Sequence, residues 1–214
     1  DYWLAENPSD PTQRGLRVQV SGFRRPNRWL MNALASGVRE FDGFSPIAHI
    51  TIPLSAPADS DSIPHTLEQS LDPLASIGLF DVTPGSPDYA SRIPFRLDAR
   101  TEVGRRRTDH AMLLFPSVAL KSRYRYGVIV TRRALSHTAS PYDPSAFFET
   151  VRDGSSESDD SWAVQRARKL VDEVLAAAAS GSIAIERADV AFALRFTVRS
   201  LDGIADDQIG RAHV

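Results

Sequence analysis

The sequence of 214 residues contains no cysteine, and this absence excludes a disulfide framework, a thiolate metal site and a Cys nucleophile. No apolar run approaches the roughly 20 residues that span a bilayer, so no transmembrane segment is predicted. Neither sign of charge dominates, because 25 Lys and Arg stand against 27 Asp and Glu, for a net charge of -2. Such a balance offers no global field for nucleic acid, and we expect no nucleic-acid binding.

What the sequence does contain is β-type patterning. From Ile47 onward, short runs rich in β-branched and aromatic residues are separated by turn residues, a spacing typical of a sandwich or barrel. The predicted strands are residues 47–54, 77–82, 93–99, 110–115 and 124–131, with an earlier one at 16–20 and a late, largely buried one at 190–198.

Helical patterning is confined to a few places. Apolar residues recur at helical spacing across 162–179, where Ser161 can cap the start and Gly181 can end the helix. A shorter helix is predicted at 28–34. Residues 136–161 are polar and read as a connector, in which Phe147 and Phe148 suggest a short packed turn.

One spacing points to a particular sandwich. Leu120 is followed six residues later by Tyr126 at the start of a predicted strand, and this resembles the tyrosine corner of immunoglobulin-like domains. We therefore predict a mainly β fold, an immunoglobulin-like sandwich with a C-terminal helix and strand, although an α+β class would also fit. The predicted divisions are a wrapping segment at 1–46, the sandwich core at 47–135, the connector at 136–161, the helix and strand at 162–200, and a tail at 201–214.

No motif in the chain assembles a catalytic centre. There is no G-x-S-x-G elbow, no phosphate-binding glycine loop, no H-E-x-x-H and no EF-hand spacing. The histidines lie far apart and favour structural or loop roles; they are His49, His65, His110, His137 and His213. We therefore assign no catalytic, cofactor-binding or metal residue, and no cofactor.

Two kinds of charged run have alternative interpretations. The acidic stretches 59–61 and 157–160 could offer oxygens to calcium, but solvated loops are the commoner outcome. A basic patch could bind phosphate or an acidic partner, although a charged hairpin tip and a protected edge strand explain it as simply. Its members are Arg100, Arg105, Arg106, Arg107, Lys121, Arg123 and Arg125.

A series of short strings runs along nearly the whole chain. In order they are D-P-T-x-x-G-x-R-V at 10–18, D-G-F-S-P at 42–46, S-L-D-P at 70–73, R-I-P-F-R at 92–96, R-Y-x-Y-G-V-I-V at 123–130 and F-T-V-R-S at 196–200. Their order resembles the N-terminal region of large secreted bacterial esterases and lipases that carry a C-terminal α/β-hydrolase domain.

The resemblance implies a non-catalytic region that supports a downstream hydrolase domain of the same polypeptide, in an extracellular or cell-envelope location. We expect the chain to be a fragment, since it lacks a natural start and the string at 209–214 looks like translated sequencing adapter. No catalytic residue of that family can be placed on this sequence, so whether the chain belongs to an enzyme is left open. The alternative is a stand-alone binding or adhesion module of the cell envelope that uses the loops at one end of the sandwich.

Overall fold

The computed structural model describes residues 4–6, 16–18, 42–103, 108–154, 162–180 and 185–200. Within these ranges the strands are β1 Leu4–Glu6, β2 Leu16–Val18, β3 Ile50–Leu54, β4 Ile77–Asp81, β5 Phe95–Val103, β6 Thr108–Pro116, β7 Arg125–Thr131 and β8 Val190–Thr197. The helices are α1 Leu67–Leu71, α2 Ala146–Asp153 and α3 Trp162–Ala179. The chain is mainly β, as predicted.

All strand pairs in the described part are antiparallel. β1 pairs with β2, β3–β6–β5 form one three-stranded sheet, and β4–β7–β8 form another. β5 and β6 make a hairpin whose last pair is Val103 with Thr108, on either side of the predicted basic tip. β8, from the segment predicted to follow the connector, pairs along the whole of β7.

The three-stranded sheets share one apolar core. Ile52, Phe95 and Met112 of the first sheet and Leu79 and Val128 of the second belong to a single buried cluster. This arrangement is consistent with a β-sandwich, in which the inner faces of two sheets bury alternate residues of each strand.

A layer of helices covers the opposite face of the β4–β7–β8 sheet. Ile129 and Ala193 point to that side and join a second cluster with Val151 of α2 and Val174 of α3. Glu173 of α3 also pairs with Arg195 of β8 and lies 3.9 Å from an Arg125 guanidinium nitrogen of β7. Helix α3 is therefore held to the sheet by apolar packing and by ion pairs.

Local sequence explains where the shorter helices begin. The Thr66 hydroxyl accepts from the N–H of Gln69, and the Gln69 side-chain oxygen accepts from the N–H of Thr66. Helix α1 therefore starts with a capping box. Ser145 accepts from the N–H of Phe148 to cap α2. Helix α2 occupies the place where a packed turn is predicted, and it extends over eight residues.

Most predicted elements correspond to observed ones within a few residues. The predicted strands at 16–20, 47–54, 77–82, 93–99, 110–115, 124–131 and 190–198 match β2 to β8, and α3 spans 162–179 as predicted. The predicted helix at 28–34 and most of the wrapping segment lie outside the described residues, as does the tail. No helix in the described part is long and apolar enough to cross a membrane.

Candidate functional site

Three of the strings found in the sequence meet at one end of the β4–β7–β8 sheet. We call this contact the Asp42 junction; it comprises residues 42–46, 196–200 and 120–126, the last of which includes the start of the R-Y-x-Y-G-V-I-V string. The N–H of Phe44 donates to the Thr197 carbonyl at 2.8 Å, and the N–H of Arg199 donates back to the Phe44 carbonyl at 2.9 Å. The D-G-F-S-P string thus runs parallel to the F-T-V-R-S string and bridges it at Val198.

Asp42 anchors the far end of this contact. Its side chain is 2% exposed, and Oδ1 accepts from the N–H of Ser200 at 2.8 Å. A buried carboxylate is costly unless it is hydrogen-bonded, so Asp42 binds the backbone at residue 200 specifically. In the sequence Asp42 stands out only as the first residue of the D-G-F-S-P string, and no local pattern predicts this bond.

Gly43 is required by the closeness of the two segments. A β-carbon at this position would lie 2.6 Å from the Thr197 carbonyl oxygen and 2.7 Å from the Arg199 nitrogen. Both atoms belong to backbone, which cannot rotate aside as a side chain would. Glycine therefore allows the two backbones to approach within hydrogen-bonding distance.

The third string supplies the other wall of the junction. The N–H of Leu120 donates to the Pro46 carbonyl at 3.0 Å, and Arg123 and Tyr124 exchange backbone hydrogen bonds with Val198. Phe44 also meets Phe196 edge to face, with ring centroids 6.5 Å apart. The junction thus joins the entry of β3, the entry of β7 and the end of β8.

Tyr126 has the environment predicted for a tyrosine corner. The side chain is 2% exposed, and its hydroxyl oxygen accepts from the N–H of Lys121 at 3.0 Å. Burial raises the pKa of this phenol, an effect that the Lys121 N–H partly opposes. The bond ties the start of β7 to the loop before it.

Two further strings meet at a second contact, formed by Ser70 and Arg92. Ser70 is fully buried at 0% exposure, and its hydroxyl accepts from the N–H of Phe95 at 3.1 Å. The Arg92 guanidinium donates to the Pro73 carbonyl at 3.0 Å and lies 4.9 Å from the centroid of the Phe80 ring. Desolvation lowers the pKa of Arg92. S-L-D-P and R-I-P-F-R are therefore held together by an arginine that binds the loop after α1.

The described histidines do not come together. His49 packs on the Phe115 ring, the His65 ring contacts the Ser60 carbonyl, and His110 is bonded to Thr101 at 2.9 Å. His137 lies in an exposed loop, and its backbone N–H donates to the Pro57 carbonyl. His213 lies outside the described residues.

The charged runs have structural partners wherever they are described. Asp59 caps the turn Ser60–Ser62 by accepting from the N–H of Asp61 at 3.1 Å. Lys121 pairs with Asp88 at 2.5 Å, and this hydrogen bond raises the pKa of Lys121. Residues 105–107 and 157–160 lie outside the described part. Within that part, no group of three or more His, Asp or Glu is placed to hold a metal ion.

The two contacts define what this arrangement can do chemically. Asp42, Ser70 and Arg92 bind backbone groups and so act as anchors; within the described residues we find no nucleophile, base and orienting group placed together. In the sequence, these three residues are distinguished only by lying in the strings D-G-F-S-P, S-L-D-P and R-I-P-F-R. No family model matches the sequence, and no curated protein matches it at a significant level.

Proposed function

We propose that this chain is the non-catalytic N-terminal region of a secreted bacterial carboxylic ester hydrolase, and that it supports a downstream α/β-hydrolase domain of the same polypeptide. The ordered strings suggest this family. The observation that carries the proposal is the convergence of three of those strings at the Asp42 junction. Because these three strings are bonded to one another, we interpret them as parts of one structural unit.

The purpose that we propose is to fix the position from which the next domain extends. Asp42 binds the N–H of Ser200, and the two preceding residues are bonded to Phe44 and Tyr124. A segment held at several successive residues has little orientational freedom. A domain that follows residue 200 would therefore start from a defined point and direction, which favours productive placement of its active site.

We also propose that the sandwich is of the immunoglobulin-like type. Tyr126 supports this, since its buried hydroxyl is bonded to backbone five residues upstream at the entry of β7. The helical layer on β4–β7–β8 would then be an addition to that architecture. The location that we propose, outside the cell or in the envelope, comes with the family.

The test compares two lengths of the same protein. One is residues 1–208, and the other continues into the natural downstream reading frame. We expect hydrolysis of p-nitrophenyl esters only from the longer polypeptide, together with a higher melting temperature of the N-terminal region. Esterase activity from the short chain, abolished by a serine-directed inhibitor, would show that it holds an active site of its own.

A matched pair of variants tests the anchoring role. In the longer polypeptide, Asp42→Ala should reduce kcat/KM and the cooperativity of unfolding between domains, because Ser200 loses its partner. Asp61→Ala is the control, since Asp61 is exposed in a turn away from the junction. A natural stop codon soon after residue 200 would contradict the proposal and favour the adhesion module.

A further inference from the structure

A surface groove of about 450 Å³ lies between α1 and the ends of β5 and β6. Leu67, Phe115 and Pro116 provide its apolar lining, while Arg96, His65 and Ser117 provide polar groups. Its volume is within the range of about 300 to 1,000 Å³ that accommodates small ligands in proteins. The groove shares no lining residue with the Asp42 junction and has no part in the proposed function.

Phe115 is one of the lining residues and lies on the face of the β3–β6–β5 sheet that points away from the core. It pairs with Arg96 on β5, whose guanidinium carbon lies 5.3 Å from the centroid of the Phe115 ring. The His49 ring lies 5.4 Å from it on the β3 side. The aromatic ring is thus flanked by two basic side chains along one row of the sheet.

Arg96 is exposed, and within the described part of the chain no carboxylate pairs with it. The nearest acid on its own strand face, Asp98, is already bound by Arg100, with an Nε–Oδ2 distance of 2.8 Å. Neither Asp nor Glu occurs among the described residues that line the groove. The side chain of Glu68, next to Leu67, is exposed and is not part of that lining. The lining of the groove therefore combines apolar side chains with an exposed arginine that no described carboxylate pairs.

We propose that this groove binds a medium-chain monocarboxylate, with the carboxylate on the Arg96 guanidinium and the alkyl chain on Leu67, Phe115 and Pro116. The planar fork of arginine donates two parallel hydrogen bonds to a carboxylate, and such charge-assisted bonds are stronger than neutral ones. Burial of the alkyl chain against these apolar side chains adds a stabilisation that grows with chain length. A short anion or a neutral alkyl compound satisfies only half of these contacts.

The test is titration of the chain with sodium octanoate at pH 7, followed by calorimetry and by the NMR shifts of backbone amides in β5 and β6. Arg96→Gln should weaken octanoate binding about tenfold, since it removes a charge-assisted contact. Arg100→Gln is the matched control: the residue lies on the same face of the same strand, but its cation is engaged by Asp98. That variant should bind octanoate as the unaltered chain does.

Other ligands and one further variant make the result decisive. Octanol and acetate, which lack the charge or the chain, should each bind more weakly than octanoate. Leu67→Ser should weaken octanoate but leave acetate unchanged, and the melting temperature of each variant shows that it is folded. Equal loss in the Arg96 and Arg100 variants, octanol binding as tightly as octanoate, or no shift in β5 and β6 at millimolar octanoate would overturn the proposal.

Discussion

Among the residues that the structure describes, both faces of the β4–β7–β8 sheet are covered, whereas the β3–β6–β5 sheet has one covered face and one open face. Neighbouring residues show the difference. Val128 and Ile129 are adjacent on β7 and are both fully buried, one in the sandwich core and the other beneath the helices. On β6, Leu114 is fully buried but Leu113 is only partly so.

Cover on both faces explains the apolar run in β7. A strand that is buried on both faces can be apolar at successive positions, while a strand with one solvent face alternates. Ile129 lies between the core residues Val128 and Val130 but faces the other side of β7, where the α-helical layer buries it. The open face of the other sheet is where side chains such as Phe115 and Arg96 are available to a ligand.

The largest expected effect tests the contrast directly. Ile129→Ala removes a fully buried side chain between β7 and the helices and should cost about 2 to 5 kcal/mol of unfolding free energy. Leu113→Ala on the open face should cost about 1 kcal/mol, since less of its area leaves water on folding. Denaturant unfolding of both variants measures this difference, and equal losses would mean that the open face is covered in solution.

The next prediction concerns the end of β8. Gly43→Ala forces a β-carbon against the backbone of Thr197 and Arg199 and should destabilise the chain by about 1 to 3 kcal/mol. Gly85→Ala is the control, since Gly85 has φ of 78° with nothing near its β-position, so only backbone strain of about 1 kcal/mol arises. Thermal unfolding measures both losses. A smaller loss for Gly43→Ala would mean that the backbone at Gly43 lies farther from Thr197 and Arg199.

A smaller effect is expected at the start of β7. Tyr126→Phe leaves the Lys121 N–H without its partner in a buried place and should cost about 1 to 2 kcal/mol. Tyr124→Phe, on the half-buried residue two positions earlier, should change stability by less than about 0.5 kcal/mol. Equal urea midpoints for the two variants would mean that the hydrogen bond to the Tyr126 hydroxyl does not stabilise the fold.

The smallest effect is a dependence on alkaline pH. Burial raises the pKa of Tyr126 in the folded chain, so the folded state disfavours the phenolate. The associated stability is complete below the unfolded-state pKa of about 10 and is lost as pH rises through the higher folded-state value. Melting temperatures measured from neutral to strongly alkaline pH should therefore fall less steeply for Tyr126→Phe than for the unaltered chain. Parallel curves would contradict this assignment.

The positions of most strands along the chain were predictable, because alternation and turn residues are local signals. Helix α1 was missed although its capping box, Thr66 with Gln69, is a readable start signal, since only five residues follow it. Asp42 and Arg92 were missed as anchors for another reason. Charged side chains are exposed by default, and their burial becomes apparent only when the partner backbone is in place.

The sequence by itself determined that the chain is β-rich, which segments form short strands, where α3 begins and ends, and that Tyr126 enters a strand behind a leucine. These follow from side-chain periodicity and capping within a few residues. Only the tertiary structure decided that β8 joins β7, that Asp42 binds the N–H of Ser200, and that Arg96 meets Phe115 on an open sheet face. Such contacts join residues far apart in the chain, and no local pattern encodes which distant backbone or ring will be brought beside them.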